Sequence, residues 1–178
     1  MSGETGIEKE FGVDLDAENP DVKKGIEAGI RVEEKQSLFY SHMTEVLHNH
    51  DFIHFFRFLS EEKKLQKEIL EKEKEFLEEN GEWLKLEYDY GDLEDAFRKV
   101  EGLRKKKLRA DAGDVDVITS AMKNEEGARR FYERFADALR GEGNEFFRRL
   151  SEREQRHHDL LSGLLDSLRH SELREKKI

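Results

Sequence analysis

Residues 146–161 read FFRRLSEREQRHHDLL, and within this stretch Glu154 and His157 lie three residues apart. Apolar residues recur around the pair at helical spacing, which predicts an amphipathic helix whose inner face also carries the carboxylate and the imidazole. Ionised side chains are rarely buried without partners, so this placement indicates a metal site inside a helical bundle. The apolar residues that share the face are Phe147, Leu150, Leu161, Leu164 and Leu168.

A second predicted helix carries Glu125 on its apolar face, and the N-terminal half of the chain repeats the arrangement. Glu125 lies seven residues before Tyr132, as Glu33 lies seven before Tyr40. Ile118, Met122, Phe135 and Leu139 share the face of Glu125.

The repeat also contains the Glu154 segment, but the first copy has different residues at the ligand positions. FFRFLS at 55–60 corresponds to FFRRLS at 146–151. Counting on from the Leu of each copy, Lys63 stands where the second copy has Glu154, and Gln66 stands where it has His157. One half of the chain therefore has a full ligand set, and the other half has lost two ligands.

This double pattern resembles the rubrerythrin-like branch of the ferritin-like superfamily, in which Glu and Tyr recur on helices one and three and Glu-x-x-His on helices two and four. The resemblance implies metal ligation by Glu33, Glu125, Glu154 and His157, with the helix-two ligands lost. The family site holds two bridged irons and reduces dioxygen or peroxide by two electrons. Here we expect at most one metal per chain, namely iron, with manganese or zinc as alternatives. Residual oxidoreductase activity of the rubrerythrin type, in oxidative stress or metal handling, would follow.

Lys63 leads to an alternative prediction. An ammonium group on the inner face must be paired, and the expected partners are the carboxylates of Glu33 and Glu154. Lys63 would then replace metal, and the protein would be a non-catalytic bundle without a cofactor that serves as an interaction or assembly module. If the helix phase is shifted by one residue, Lys63 instead extends to solvent.

The predicted fold is all-α, an antiparallel four-helix ferritin-like bundle over residues 21–178, preceded by a loosely held acidic arm at residues 1–20. The first two helices are expected at about 21–47 and from a turn at 48–51 to about 80. A long crossover then contains a short helix at about 92–107. Asp114 and Asn144 are the expected caps of the third and fourth long helices.

The composition of the chain limits the partners and the metal ligands that we expect. The net charge of −10 argues against a nucleic-acid partner, and the absence of Cys leaves only oxygen and imidazole as metal ligands. No stretch has the roughly 20 apolar residues of a membrane span, and the first 20 residues lack the regions of a secretory signal. We expect a cytoplasmic homo-oligomer, taken as a dimer.

Other candidate residues have weaker support. Glu45 and His48 repeat the Glu-x-x-His spacing, but the pair has no counterpart in the other half and Glu45 lies off the apolar face. His50 and His54 adjoin a surface turn. The basic run at 104–109 is interpreted as a solvated helix end.

Overall fold

The computed structural model describes residues 6–16, 18, 20–85 and 91–177. These residues form six helices and no strand, which confirms the all-α prediction. The helices are α1 (Gly6–Phe11), α2 (Val22–Val46), α3 (His50–Asn80), α4 (Gly91–Leu103), α5 (Ala112–Ala138) and α6 (Gly141–Glu175).

The four long helices form two hairpins. Helix α2 packs mainly against α3, and α5 packs mainly against α6, because only a short turn separates the members of each pair. The long connection between the hairpins contains α4, which packs on α6. This is the bundle with a helical crossover that the sequence predicts.

Side-chain caps explain where three of the long helices begin. Asp21 accepts a hydrogen bond from the backbone of Lys24 at the start of α2, and Asn49 caps α3 in the same way. The cap of α5 is Asp111, and Asp114 completes a capping box as its partner. The expectation that Asp114 is itself the cap was therefore wrong.

Two further helix ends differ from the prediction. Helix α6 begins at Gly141 without a side-chain cap, and Asn144 instead donates to the carbonyl oxygen of Ala136. Helix α4 ends at Leu103, so the whole basic run at 104–109 follows the helix as turn and coil instead of forming its end.

The described part of the acidic N-terminal segment packs on the bundle instead of lying loose. Helix α1 contacts α2 and α5, and Arg134 on α5 donates to the buried carboxylate of Glu8 at 2.5 Å. Val13 and Leu15 are also buried. These buried residues were not predicted from the sequence, because the acidic composition of the segment indicated a solvated arm.

Two hydrophobic clusters fill the bundle, one on each side of a polar layer. One cluster contains Phe56 and Leu161, and the other contains Phe135 and Phe147. Each long helix contributes to both clusters and passes through the polar layer between them. Burial of these aromatic and aliphatic side chains supplies the main stabilising free energy and fixes the rotation of each helix.

Glycines permit close approach at some helix contacts but not at others. A methyl group at Gly163 would lie 2.8 Å from Cγ1 of Val100, so Gly163 allows α4 to approach α6. A methyl group at Gly25 would overlap the ring of Phe135. At Gly127 it would meet no atom within 4 Å.

None of the helices in the described ranges is both long and apolar enough to cross a membrane.

Gly25→Ala should lower the free energy of unfolding by about 1–3 kcal/mol, because the buried ring of Phe135 must move to admit the methyl group. The matched variant Gly127→Ala should instead raise it by up to about 1 kcal/mol, since alanine is the better helix former. Urea denaturation of both variants checks this. Equal effects would show that α2 and α5 are not in close contact at Gly25.

Candidate metal centre

The polar layer consists of side chains with no solvent exposure. The four long helices each place one or two of these residues at the same height, between the two hydrophobic clusters. The layer comprises Glu33, Lys63, Gln66, Glu125, Glu154 and His157.

Lys63 lies among the carboxylates of three other helices. Its Nζ atom donates to Oε2 of Glu125 at 2.7 Å and to Oε2 of Glu154, and it lies 3.7 Å from Oε2 of Glu33. The side chain does not extend to solvent. The predicted pairing with Glu33 and Glu154 is present, and Glu125 is a partner that the sequence did not indicate.

Each tyrosine of the repeat reaches across to the glutamate of the opposite hairpin. Tyr132 donates to Oε1 of Glu33 at 2.5 Å, and Tyr40 donates to Oε1 of Glu125. Burial, together with the nearby carboxylates, raises the pKa of both phenols well above the ordinary value. Both tyrosines are therefore neutral hydrogen-bond donors that fix the carboxylate orientations.

Gln66 takes part in the layer as a donor. Its Nε2 atom donates to Oε1 of Glu154 at 2.9 Å. The histidine expected here from the family pattern would offer a ring nitrogen to a metal, whereas this amide nitrogen has no lone pair to offer. At these two positions of α3 the first hairpin therefore has neither the carboxylate nor the imidazole of the second, and its remaining carboxylate in the layer is Glu33.

A buried ion pair that the sequence reasoning missed holds His157. Glu62 accepts from Arg153 at 3.1 Å (Nε) and 2.7 Å (an Nη atom), and its Oε2 atom lies 3.2 Å from Nε2 of His157. Glu62 and Arg153 immediately precede Lys63 and Glu154 in the two copies of the repeat, so opposite charges at equivalent positions were the available signal.

The other ring nitrogen of His157 faces the carboxylates. Its Nδ1 atom lies 3.7 Å from Oε2 of Glu125 and has no hydrogen-bond partner among the described residues. A buried nitrogen without a partner is costly unless a ligand or water satisfies it.

The carboxyl groups of the site differ in their electrostatics. Burial and the charge of Glu33 raise the pKa of Glu154 well above its ordinary value, although Lys63 opposes the shift. Burial also raises the pKa of Glu33, against the opposing effect of Lys63. Burial acts in the same direction on Glu125, but Lys63 and hydrogen bonds to the group outweigh it and lower that pKa well below the ordinary value.

Lys63 and Glu62 are held in their charged forms by their neighbours. Burial disfavours the ammonium form of Lys63, but the carboxylates of Glu125, Glu154 and Glu33 more than compensate and raise its pKa. Burial likewise disfavours the charge of Glu62, but the hydrogen bond and charge of His157, with the charge of Arg153, lower the pKa of Glu62 to about 2.

The residues of the second hairpin fit a divalent metal. Ligand atoms of Glu125, Glu154 and His157 all lie within 4.8 Å of one another, and carboxylate oxygen with imidazole nitrogen suits iron, manganese or zinc. Glu33 adds a third carboxylate, whose Oε2 atom lies 3.7 Å from Nζ of Lys63 and has no hydrogen-bond partner in the described ranges.

Other candidate residues lie away from this layer. His50, His54 and Glu45 are exposed. His48 meets Asp111 and Asp114 instead of Glu45, with its Nδ1 atom 2.6 Å from Oδ2 of Asp111. That cluster caps α5 and joins it to the end of α2, and its oxygens already accept backbone hydrogen bonds.

A four-helix bundle with two Glu-Tyr pairs and a buried Glu-x-x-His motif is the arrangement that the chain shares with ferritin-like proteins. The rubrerythrin family model matches residues 116–178, which include Glu125, Glu154 and His157. The match confirms the resemblance to the rubrerythrin-like branch and supports membership of it; the first hairpin lies outside the matched residues. No curated protein and no solved structure matches the chain.

Lys63→Met should lower the free energy of unfolding at pH 7 by about 3–5 kcal/mol, because three buried carboxylates lose their common cation. Without Lys63 the folded-state pKa values of Glu33 and Glu154 rise further above their unfolded-state values. The free energy of unfolding of the variant should therefore fall as the pH rises toward these folded-state pKa values, and it should recover as the pH is lowered toward 5, where both groups are protonated. Lys64→Met, at an exposed neighbour, should change stability by less than about 0.5 kcal/mol. A pH-independent loss in Lys63→Met would contradict the pairing.

Glu62→Gln should lower the free energy of unfolding by about 3 kcal/mol near neutral pH, since folding lowers the pKa of Glu62 from 4.5 to about 2. A lowered pKa stabilises the fold above the unfolded value, so the difference from the parent should persist above about pH 4.5 and shrink as the pH falls toward 2. Denaturant unfolding at several pH values measures it. The exposed neighbour Glu61, changed to Gln, is the control.

Proposed function

We propose that the chain is a ferritin-like protein of the rubrerythrin type that binds at most one divalent metal ion, through Glu125, Glu154 and His157, with Glu33 nearby. The observation that carries the proposal is the buried Nδ1 atom of His157, which faces Glu125 without a hydrogen-bond partner among the described residues.

The surroundings of His157 are those of a metal ligand. A histidine that binds a metal through one ring nitrogen commonly donates a hydrogen bond from the N–H group of the other to a carboxylate. This bond fixes the tautomer and the ring orientation. Glu62 accepts in this way at Nε2 of His157, and Arg153 holds Glu62 in place. With the proton on Nε2, Nδ1 presents its lone pair toward Glu125 and Glu154.

The charge of the layer also favours a single divalent ion. Glu62 and Arg153 neutralise each other, which leaves three carboxylates: Glu33, Glu125 and Glu154. Lys63 supplies one positive charge, so a net charge of −2 arises when a metal displaces the protons that the raised pKa values of Glu33 and Glu154 favour and all three carboxylates are ionised. One divalent cation balances that charge, whereas buried uncompensated charge is strongly unfavourable.

A second metal lacks a full set of ligands in the first hairpin. Lys63 supplies an ammonium where the family pattern has a carboxylate, and Gln66 supplies an amide donor where it has an imidazole. A cation placed beside Glu33 would also meet the positive charge of Lys63, since Nζ lies 3.7 Å from Oε2 of Glu33.

The chemistry of one ion differs from that of the family pair. When bound, a single zinc ion would supply Lewis acidity, and a single iron or manganese ion could also change oxidation state, but the sharing of two electrons between two bridged irons would not be available. The residues of the chain bind the ion, exclude water from it and hold the ligand orientations through Tyr40 and Tyr132. We therefore place the role in metal handling, with a link to oxidative stress through the binding of iron. Cytoplasmic location and assembly into a homo-oligomer stay predictions.

A second candidate function rests on the contacts that Lys63 already makes. Lys63 bonds Glu125 and Glu154 directly, so it can act as the permanent cation of a bundle that needs no metal. Such a protein would serve as an interaction or assembly module. Metal titration separates this candidate from the first.

Titration of chelator-free protein with Zn²⁺ or Mn²⁺ in a calorimeter should show one equivalent per chain. His157→Ala should weaken binding by at least about 10–100-fold, because it removes the only imidazole of the set. His54→Ala, which removes an exposed histidine on α3, should leave the affinity unchanged.

Two equivalents of metal, or unchanged binding in His157→Ala, would contradict the mononuclear site. No binding in the parent would favour the Lys63-neutralised bundle. His48→Ala distinguishes any weak second binding event at the cluster of His48, Asp111 and Asp114 from binding in the buried layer.

Lys63→Glu combined with Gln66→His should raise the metal stoichiometry to two, because it restores the missing carboxylate and imidazole. Lys63→Glu alone should be less stable than the double variant, since it adds a carboxylate to an acidic layer without the imidazole that helps to hold a compensating metal. Iron titration should show the optical signature of an oxo-bridged pair only in the double variant. If that variant binds no more metal than the parent, Lys63 and Gln66 do not occupy the positions of the missing ligands.

A further inference from the structure

A cavity of about 480 Å³ lies between α1, α2 and α5, apart from the buried carboxylate layer. Its volume is in the range of sites that bind small organic molecules. Much of its wall is apolar, with contributions from Ile7 and Phe11 on α1 and from Val32 and Phe39 on α2. An apolar body of two or three rings would fit in such a space.

One polar group in the wall lacks a partner. The Gln36 side chain donates through Nε2 to the carbonyl oxygen of Asn124 at 3.1 Å, which joins α2 to α5. Its Oε1 atom is buried and has no hydrogen-bond partner among the described residues, although Gln36 is only 8% exposed. A buried amide oxygen without a donor is unfavourable, so it favours a ligand that carries an N–H or O–H group.

The rim of the cavity is positively charged. Lys123 lines it and has no ion-pair partner in the part of the chain that the structure describes. Lys35 also lines it and is paired with Glu10 at 2.5 Å, so the unneutralised charge at the rim is that of Lys123. On a chain with a net charge of −10, a local positive charge beside an apolar cavity favours an anionic ligand.

We propose that this cavity binds a small amphiphilic anion, with an apolar body against Phe11, a hydrogen-bond donor to Oε1 of Gln36 and a negative charge beside Lys123. The inference goes beyond the proposed metal binding and does not depend on it. Gln36 follows Glu33 by one helical turn, so the ligand would lie next to the carboxylate layer without entering it.

The probe for the test is 8-anilino-1-naphthalenesulfonate, which combines aromatic rings, one N–H group and one sulfonate. Its fluorescence should rise to saturation with one site per chain. Gly127→Phe should weaken binding by about tenfold or more, because Gly127 lines the cavity and a side chain there meets only open space. Gly102→Phe, at an equally open helical glycine on α4, is the matched control and should bind as the parent does.

Two further variants test the polar contacts. Gln36→Met keeps the side-chain length but removes the acceptor, and Lys123→Glu reverses the charge, so each should weaken binding by about threefold or more. Lys105→Glu is the charge control on an exposed residue elsewhere. Arg169→Glu should have no effect, because Arg169 lines the neighbouring groove between α5 and α6 and not this cavity.

Unsaturable binding, or equal affinity in the parent and Gly127→Phe, would overturn the proposal. So would unchanged affinity in Gln36→Met, or an equal loss in Arg169→Glu. Circular dichroism verifies that each variant is folded. His157→Ala should bind the probe as the parent does, so failure of this site and failure of the metal site remain distinguishable.

Discussion

The ammonium group of Lys63 among the carboxylates of Glu33, Glu125 and Glu154 is the interaction on which the centre of the bundle depends. Two carboxylates about 4 Å apart repel by roughly 4 kcal/mol at an effective dielectric constant near 20, and here three share one layer without solvent. In a di-iron protein the metals cancel that repulsion. Here Lys63 supplies one positive charge to the layer from within the chain.

The two hairpins contribute different groups to the buried layer. The second supplies Glu125, Glu154 and an oriented His157, whereas the first supplies Glu33 and the cation of Lys63. The tyrosines remain symmetrical, since each bonds the glutamate of the other hairpin. The bonds that join the halves of the repeat are therefore present in both directions, while the first half has Lys63 and Gln66 at the positions of Glu154 and His157.

Helical periodicity predicted the bundle and its inner faces, because burial of residues such as Phe56 and Phe147 fixes how each helix is rotated. The repeat then located Lys63 and Gln66 on the inner face. The partner of Nε2 of His157 was not predicted, because Glu62 is one of 42 acidic residues and the signal that marks it, Arg153 at the equivalent position of the second copy, lies 91 residues away. The packing of α1 was hidden for a similar reason, since its charges dominate its composition.

Anomalous diffraction from crystals soaked in Mn²⁺ or Zn²⁺ tests the central claim most directly. The mononuclear account predicts one peak per chain, bounded by Glu125, Glu154 and Nδ1 of His157, with Lys63 still in contact with the carboxylates. Two peaks in the layer, or one peak in the place of a displaced Lys63 ammonium, would contradict it.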